Sequence, residues 1–153
     1  SPQFAKLRPI ASAIIFLLIM SDLNGLKYVN DSFGHSEGDN LINTAAGLLS
    51  CTRVSGASCE KNFRIGGDEF VKAAYGDITQ QGIDEFRREI SEKVNITNST
   101  SCKPYPIYMP IGTCLRSPGD IPDCDKMLSS ADEAMYADKI RLKSVTGFDP
   151  KRK

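Results

Sequence analysis

The feature that most restricts the fold is an apolar run from Ile10 to Met20, interrupted only by Ser12 and halted at Asp22-Leu23-Asn24-Gly25. A stretch this apolar has no side to offer water, so it must be covered on both faces. It has about half the length a membrane helix needs and ends in a turn signal. Ala11 to Met20 is therefore expected as the central strand of a sheet. Gly34-His35-Ser36 breaks the segment that follows, and past that break either Ser36 or Asp39 can cap a further helix running to about Thr52. Its Leu41, Ile42, Ala45, Ala46, Leu48 and Leu49 recur at helical spacing. Phe63-Arg64-Ile65 and Phe70-Val71 flank Gly66-Gly67-Asp68-Glu69 and predict a β-hairpin around a Gly-Gly turn. Ile83, Phe86, Ile90 and Val94 mark one face of an amphipathic helix, on which Glu89 and Lys93 can pair. Asn95 to Pro106 is polar and Pro-bearing, so a loop is expected there. Tyr108 to Leu115 reads as a strand bent at Pro110 or Gly112. A last helix runs from about Asp125 to Lys143, with Leu128, Ala131, Met135 and Leu142 inward. The order βααββαβα, with no internal repeat or linker, predicts one α/β (α+β) domain over 1–153.

The 153 residues carry 19 basic and 19 acidic side chains, so no global basic field exists to bind nucleic acid or an anionic membrane. Any phosphate must be met by local charges. Apolar residues make up 41% and charged residues 25%, the balance of a soluble globular chain. Lone Lys6 and Arg8 before the apolar run, and no small-residue cleavage pattern after it, argue against a signal peptide. The expected location is the cytoplasm, as a free domain or the inner part of a membrane-anchored protein. Five scattered cysteines with no C-x-x-C read as reduced, buried thiols rather than a zinc site or disulfide framework. The N-x-S/T matches at Asn30, Asn95 and Asn98 are read as unglycosylated. Without an initiator Met the chain reads as a piece of a longer protein, with 1–9 a leader and 144–153 a tail or short final strand.

The chemistry-bearing residues gather around the predicted strand and hairpin. Asp22 falls just past the strand's C-terminal end, where α/β folds place ligands. Asp68-Glu69 follows two glycines, which are expected to supply positive φ and let backbone approach a phosphate. Carboxylates converging from a strand end and a neighbouring hairpin suit Mg²⁺, a hard cation that takes oxygen ligands. Two such ions can activate an attacking hydroxyl and stabilise a leaving pyrophosphate. Taken singly, each of these acids is more simply a solvated turn residue.

Three segments together resemble the GGDEF family of diguanylate cyclases. Asp22-Leu-Asn-Gly-Leu-Lys27-Tyr-Val-Asn30-Asp31-Ser-Phe-Gly34-His35-Ser-Glu-Gly38-Asp39 is similar to its first motif. Arg64-Ile-Gly66-Gly67-Asp68-Glu69-Phe70 contains the GGDEF sequence itself, and Ala131-Asp132-Glu133-Ala134-Met135-Tyr136 with Lys139 resembles its last helix. The likeness runs from about Ile10 to Lys143. It implies a fold of the nucleotidyl cyclase and polymerase-palm type, with a central, mainly antiparallel sheet flanked by helices. It also implies an enzyme that condenses two GTP into cyclic di-GMP across a homodimer of half-sites, usually under an upstream sensor or regulatory domain. By resemblance, Asp22, the Leu23 carbonyl, Asp68 and Glu69 hold Mg²⁺, with Mn²⁺ an alternative. Asp68 is also the proposed base and, with Glu69, catalytic. Lys27 looks like a phosphate contact, and Asn30 and Asp39 like the guanine readers. A carboxylate at Asp39 can accept from guanine N1–H and the 2-amino group together, and Asn30 adds one donor and one acceptor. Lys139 and Lys143, four apart on the last helix, can meet one polyphosphate, although a favourable helix-dipole interaction is the plainer role for them. Single His35 reads as a turn and packing residue.

Two departures from the family pattern stand out. Ser1 to Ile10 lacks the D-x-L-T-G-L-x-N-R opening, which weighs toward the alternative of a catalytically weak, GTP-binding regulatory module. The R-x-x-D product-inhibition motif is replaced by Ala57 and Glu60, so feedback through that surface is expected to be lost. A mixed adenine–guanine product is disfavoured by Asp39.

Overall fold

The computed structural model describes residues 14–117, 120–121 and 123–147. The expected strand's first residues, 11–13, and the leader lie outside that range, as do the missing opening motif and tail residues 148–153. The strand itself is β1 (Ile15–Asp22), and its apolar continuity has the expected cause: it lies inside the sheet, with neighbours on both edges. The sheet runs β2 (Ala57–Arg64), β3 (Glu69–Gly76), β1, β4 (Ile111–Arg116), and every neighbouring pair is antiparallel. Among the described residues, four helices complete the order βααββαβα: α1 (Leu26–Phe33), α2 (His35–Cys51), α3 (Gln80–Thr100) and α4 (Cys124–Thr146).

Alternation along β1 divides the core between two faces. Leu17 and Ile19 join Phe70 and Ala74 of β3 against Leu41, Ala45 and Leu49 of α2 and Ile83, Phe86 and Ile90 of α3. Met20 points the other way and meets Val71, Ala131 and Met135, the last two from α4. Each large aliphatic or aromatic side chain so buried contributes about 1.5–3 kcal/mol, so the first face is the principal core. On the second face α4 lies almost on the backbone of β4. A Cβ on Gly112 would overlap the Ala131 carbonyl and the Met135 amide. That close approach sets the height of α4 over the sheet, and with it the position of Lys139.

Several boundaries differ from expectation for identifiable reasons. The hairpin arms, expected as short pieces, are full strands, with Arg64 opposite Phe70 and Phe63 opposite Val71. Residues 95–100, expected as loop, continue α3. The hydroxyls of Thr97, Ser99 and Thr100 each donate to the carbonyl four residues back at 2.8 Å, so the polar run satisfies itself within the helix. Asn98 then holds the following strap, donating to Ile107 O at 2.8 Å and accepting from Ile107 N at 2.7 Å. Tyr105, Ile107 and Met109 of the strap are buried in the principal core. Residues 108–110 belong to that strap rather than to β4. Neither Ser36 nor Asp39 caps α2; Gly34, at φ 92°, is its N-cap, and both residues lie inside the helix. The five cysteines are free, but none is buried: Cys51, Cys102 and Cys124 are exposed and Cys59 and Cys114 half-buried.

Candidate active site

Asp22 is the last residue of β1 rather than a residue beyond it, and its partner in the β1–β3 register is Glu69. Directly opposed residues of an antiparallel pair project to the same face, here the one covered by α4. The strand pairing continues into the hairpin tip, where Leu23 N–H donates to the Asp68 carbonyl at 2.8 Å. Among the described residues, the Leu23 carbonyl accepts one long backbone bond, from Leu26 N–H at 3.4 Å. Arg64 closes the tip from the other arm: its Nε reaches the Gly66 and Gly67 carbonyls at 3.2 Å, and its second guanidinium nitrogen reaches Gly67 at 2.7 Å. Positive φ was expected at Gly66 and Gly67, and neither adopts it. Gly66 instead leaves room for the Glu69 carboxylate, since a Cβ there would stand 3.1 Å from Oε2.

On α4, Met135 packs on the sheet and Lys139 follows one turn later. Its ammonium donates to Asp22 Oδ2 at 2.5 Å. Burial pushes the Asp22 carboxyl above the ordinary carboxylate range; the Lys139 bond pulls it down, while the charges of Asp68 and Asp132 push it further up. The corner thus concentrates negative charge in a place water reaches poorly, and positive charge answers it. Its donors are carboxylate and carbonyl oxygens, the chemistry of a hard divalent cation. Asp22 and Glu69 face one another and Asp68 adds its field. Among the described residues, however, no three His, Cys, Asp or Glu side chains converge as a finished ligand group. The residues fit such a cation in kind.

The other predicted residues form a second cluster at the α1–α2 junction. Asn30, half-buried near the end of α1, lies against Gly38 in the first turns of α2, and exposed Asp39 is the next residue. Asn43, one turn beyond Asp39, lines a groove of about 360 Å³ between α2 and the hairpin strands, which Arg64 and Phe70 also line. Lys27 stands exposed at the start of α1, and Lys143 is exposed one turn beyond Lys139. Arg64 as a hairpin clamp, Asp132 as a neighbour of Asp22, and Gly38 as a floor for Asn30 have no role in the sequence reading. Only the Gly38-Asp39 pairing within the first motif hinted at the last of these.

Residues 57 and 60 show what replaced the R-x-x-D pattern. Glu60 turns inward, its side chain only 5% exposed, and sits 3.3 Å from Arg53 and 3.9 Å from Lys72. It also accepts from Val54 N–H at 2.5 Å. Lys72 is fully buried in β3, and that burial lowers the pKa of its ammonium. The acid at this position is therefore committed to the interior.

Residues 6–144 match the family described as diguanylate cyclase, GGDEF domain. The chain belongs to the GGDEF family. This GGDEF domain is 34% identical over 143 residues to the signaling protein YkoW of Bacillus subtilis, a match covering 87% of this chain and 16% of YkoW. It is 26% identical over 133 residues to diguanylate cyclase DgcS of Shewanella oneidensis, covering 87% of this chain and 42% of DgcS. The chain thus spans less than half of either relative. Its fold is that of the GGDEF domain of DgcB from Caulobacter crescentus, solved in complex with c-di-GMP: TM-score 0.70 at 24% identity, over 92% of this chain and 80% of that one. Among the described residues the sheet is a four-stranded antiparallel one flanked by four helices, in line with the antiparallel, helix-flanked sheet that the resemblance implied, and the class is α+β. Among the described residues, no helix is long and apolar enough to cross a membrane.

Proposed function

We propose that this GGDEF domain is a diguanylate cyclase, condensing two GTP into one cyclic di-GMP and two pyrophosphates. The observation that carries the reading is the corner where Asp22 and Glu69 oppose each other across β1 and β3 beneath Lys139 of α4. It supplies acids for a metal-nucleotide and a cation for the released phosphates within one small volume. Asp22, Asp68, Glu69 and the Leu23 carbonyl would hold Mg²⁺, or Mn²⁺ in its place. Bound there, such an ion makes a ribose hydroxyl more acidic and offsets triphosphate charge. Asp68, at the hairpin tip, takes the 3′-hydroxyl proton. Each 3′-oxygen then bonds the α-phosphorus of the other GTP, and each α–β bridging oxygen leaves with pyrophosphate. Lys139, Lys143 and Lys27 meet the departing phosphates, while Asn30 and Asp39 read the guanine edge.

One guanine-reading pair and one acidic corner suffice for a single GTP per chain. Two copies facing across a two-fold axis complete the reaction without any additional residue, because such an interface is self-complementary. The catalytic unit is therefore a homodimer, in the cytoplasm, with an upstream sensor or regulatory domain setting how often two copies meet. The test is incubation with GTP and Mg²⁺ followed by chromatography of the products. Cyclic di-GMP with two equivalents of pyrophosphate is expected. Bound but unconverted GTP, in protein shown to dimerise, would instead establish the non-catalytic regulatory module.

The inward Glu60 adds a prediction about control. Cyclic di-GMP at concentrations that accumulate during turnover is expected to leave the initial rate unchanged through the surface of residues 57–60. Calorimetry provides the check. Tight product binding that disappears on Glu60→Ala, with the fold retained by circular dichroism, would contradict it.

A further inference from the structure

Gly38 is buried in α2, and the space its Cβ would occupy is filled by Asn30. A Cβ there would overlap Asn30 Oδ1 and stand 2.8 Å from Cγ and 3.4 Å from Nδ2. The backbone around this contact has little room to yield. Gly34 N–H donates to the Asn30 carbonyl at 3.0 Å, and the Gly34 carbonyl accepts from Glu37 N–H and Gly38 N–H, each at 3.2 Å. These bonds stack the last turn of α1 directly on the first turn of α2. The strap braces the same junction. Tyr105 Oη–H donates to Glu37 Oε2 at 2.6 Å, Lys103 pairs with Glu37 at 3.0 Å, and the Phe33 and Tyr105 rings lie 5.6 Å apart. With the backbone held from both sides, the group that must move to admit a Cβ is the Asn30 carboxamide.

Helix preference does not account for a glycine here. Its φ is not in the positive region, and alanine is the better helix former at an ordinary helical position. We propose that Gly38 is a specificity-determining positioning residue: its lack of a side chain leaves the seat for the Asn30 carboxamide beside Asp39. The inference rests on the reading of Asn30 and Asp39 as guanine readers. Two groups that read one base edge must be coplanar with it to within a few tenths of an ångström, because hydrogen bonds weaken steeply with angle and distance. A carboxamide pushed off Gly38 keeps its chemistry and loses its aim.

The test is a four-member cycle: wild type, Gly38→Ala, Asn30→Ala and the double variant. GTP and ATP binding are measured by calorimetry, and the side-chain amide resonances of Asn30 by NMR on nucleotide-free protein. Gly38→Ala is expected to shift those resonances and to weaken GTP binding roughly tenfold, the scale of one misdirected hydrogen bond, with little effect on ATP. In the Asn30→Ala background the same substitution should change GTP affinity less than about twofold, because the obstructing group is gone. Equal losses in both backgrounds would show a merely structural glycine and overturn the proposal. If Gly38→Ala alone does not fold, recovery of the fold in the double variant supports the steric contact, and failure in both overturns it. Wild-type protein that binds GTP no better than ATP would undo the guanine reading along with the specificity role. Unmoved Asn30 resonances in Gly38→Ala would undo this inference alone.

Discussion

Glu69→Gln is expected to reduce cyclic di-GMP formation by roughly a hundredfold to a thousandfold, the range seen when one preorganised electrostatic contact to a reacting centre is removed. The substitution keeps the side chain's shape. It also keeps the backbone bond from Ile65 N–H to the Glu69 carbonyl at 3.0 Å that closes the hairpin. What it removes is one of the two charges opposed across β1 and β3. GTP binding in the presence of Ca²⁺ or Mg²⁺ should persist in weakened form, because Asn30, Asp39 and the lysines are untouched. Turnover and nucleotide binding measured on the same preparation separate the two effects. Near-normal product formation would show that the hairpin acid takes no part in the chemistry.

Asp39→Ser is expected to weaken GTP binding roughly tenfold to a hundredfold and to relax discrimination against ATP, since an unanswered donor pair on a covered base edge carries that penalty. Asp39 is exposed within α2 and is not its N-cap, so the substitution is expected to leave the fold intact. Its next turn leads to Asn43 at the groove between α2 and the hairpin strands. Competition between GTP and ATP, read as a ratio of dissociation constants for wild type and variant, is the check. An unchanged ratio would remove Asp39 from guanine recognition. The two substitutions act on different clusters, one at the strand end and one at the α1–α2 junction. Their effects should therefore combine independently on binding.

The order of elements could be read from the chain because the strongest patterns come from burial. β1 is apolar on both sides because both of its faces are covered, and α2 shows helical spacing because one face meets the principal core. What escaped depends on partners that only the folded backbone brings into place. Asn98 looks like a loop residue until Ile107 is placed beside it, and the Thr97, Ser99 and Thr100 hydroxyls favour loop and helix alike until the backbone is known. A glycine pair announces a turn without giving its dihedrals: positive φ was expected at Gly66 and Gly67, and among the described residues it falls at Gly25, Gly34, Gly56, Gly76 and Gly147. The candidate site divides in the same way. Its acids and lysines are visible as residue types, but the meeting of Lys139 with Asp22 joins residues 117 positions apart. It depends on how closely α4 settles over Gly112. Likewise, the inward turn of Glu60 needs Lys72 and Val54 in place before it becomes apparent.

The most direct test of the account is product formation from GTP and Mg²⁺ across a wide dilution series, with the oligomeric state measured at each concentration. If two half-sites must face each other, the chain alone should make cyclic di-GMP, and its rate per chain should rise with concentration. Joining a parallel coiled-coil dimer ahead of Ser1 should lift the rate at low concentration, because holding two bound reactants in register can contribute about 7–11 kcal/mol in well-oriented cases. A folded, GTP-bound chain that forms no cyclic product at any concentration, dimerised or not, would contradict the account. So would a rate per chain that stays constant in protein shown to be monomeric throughout.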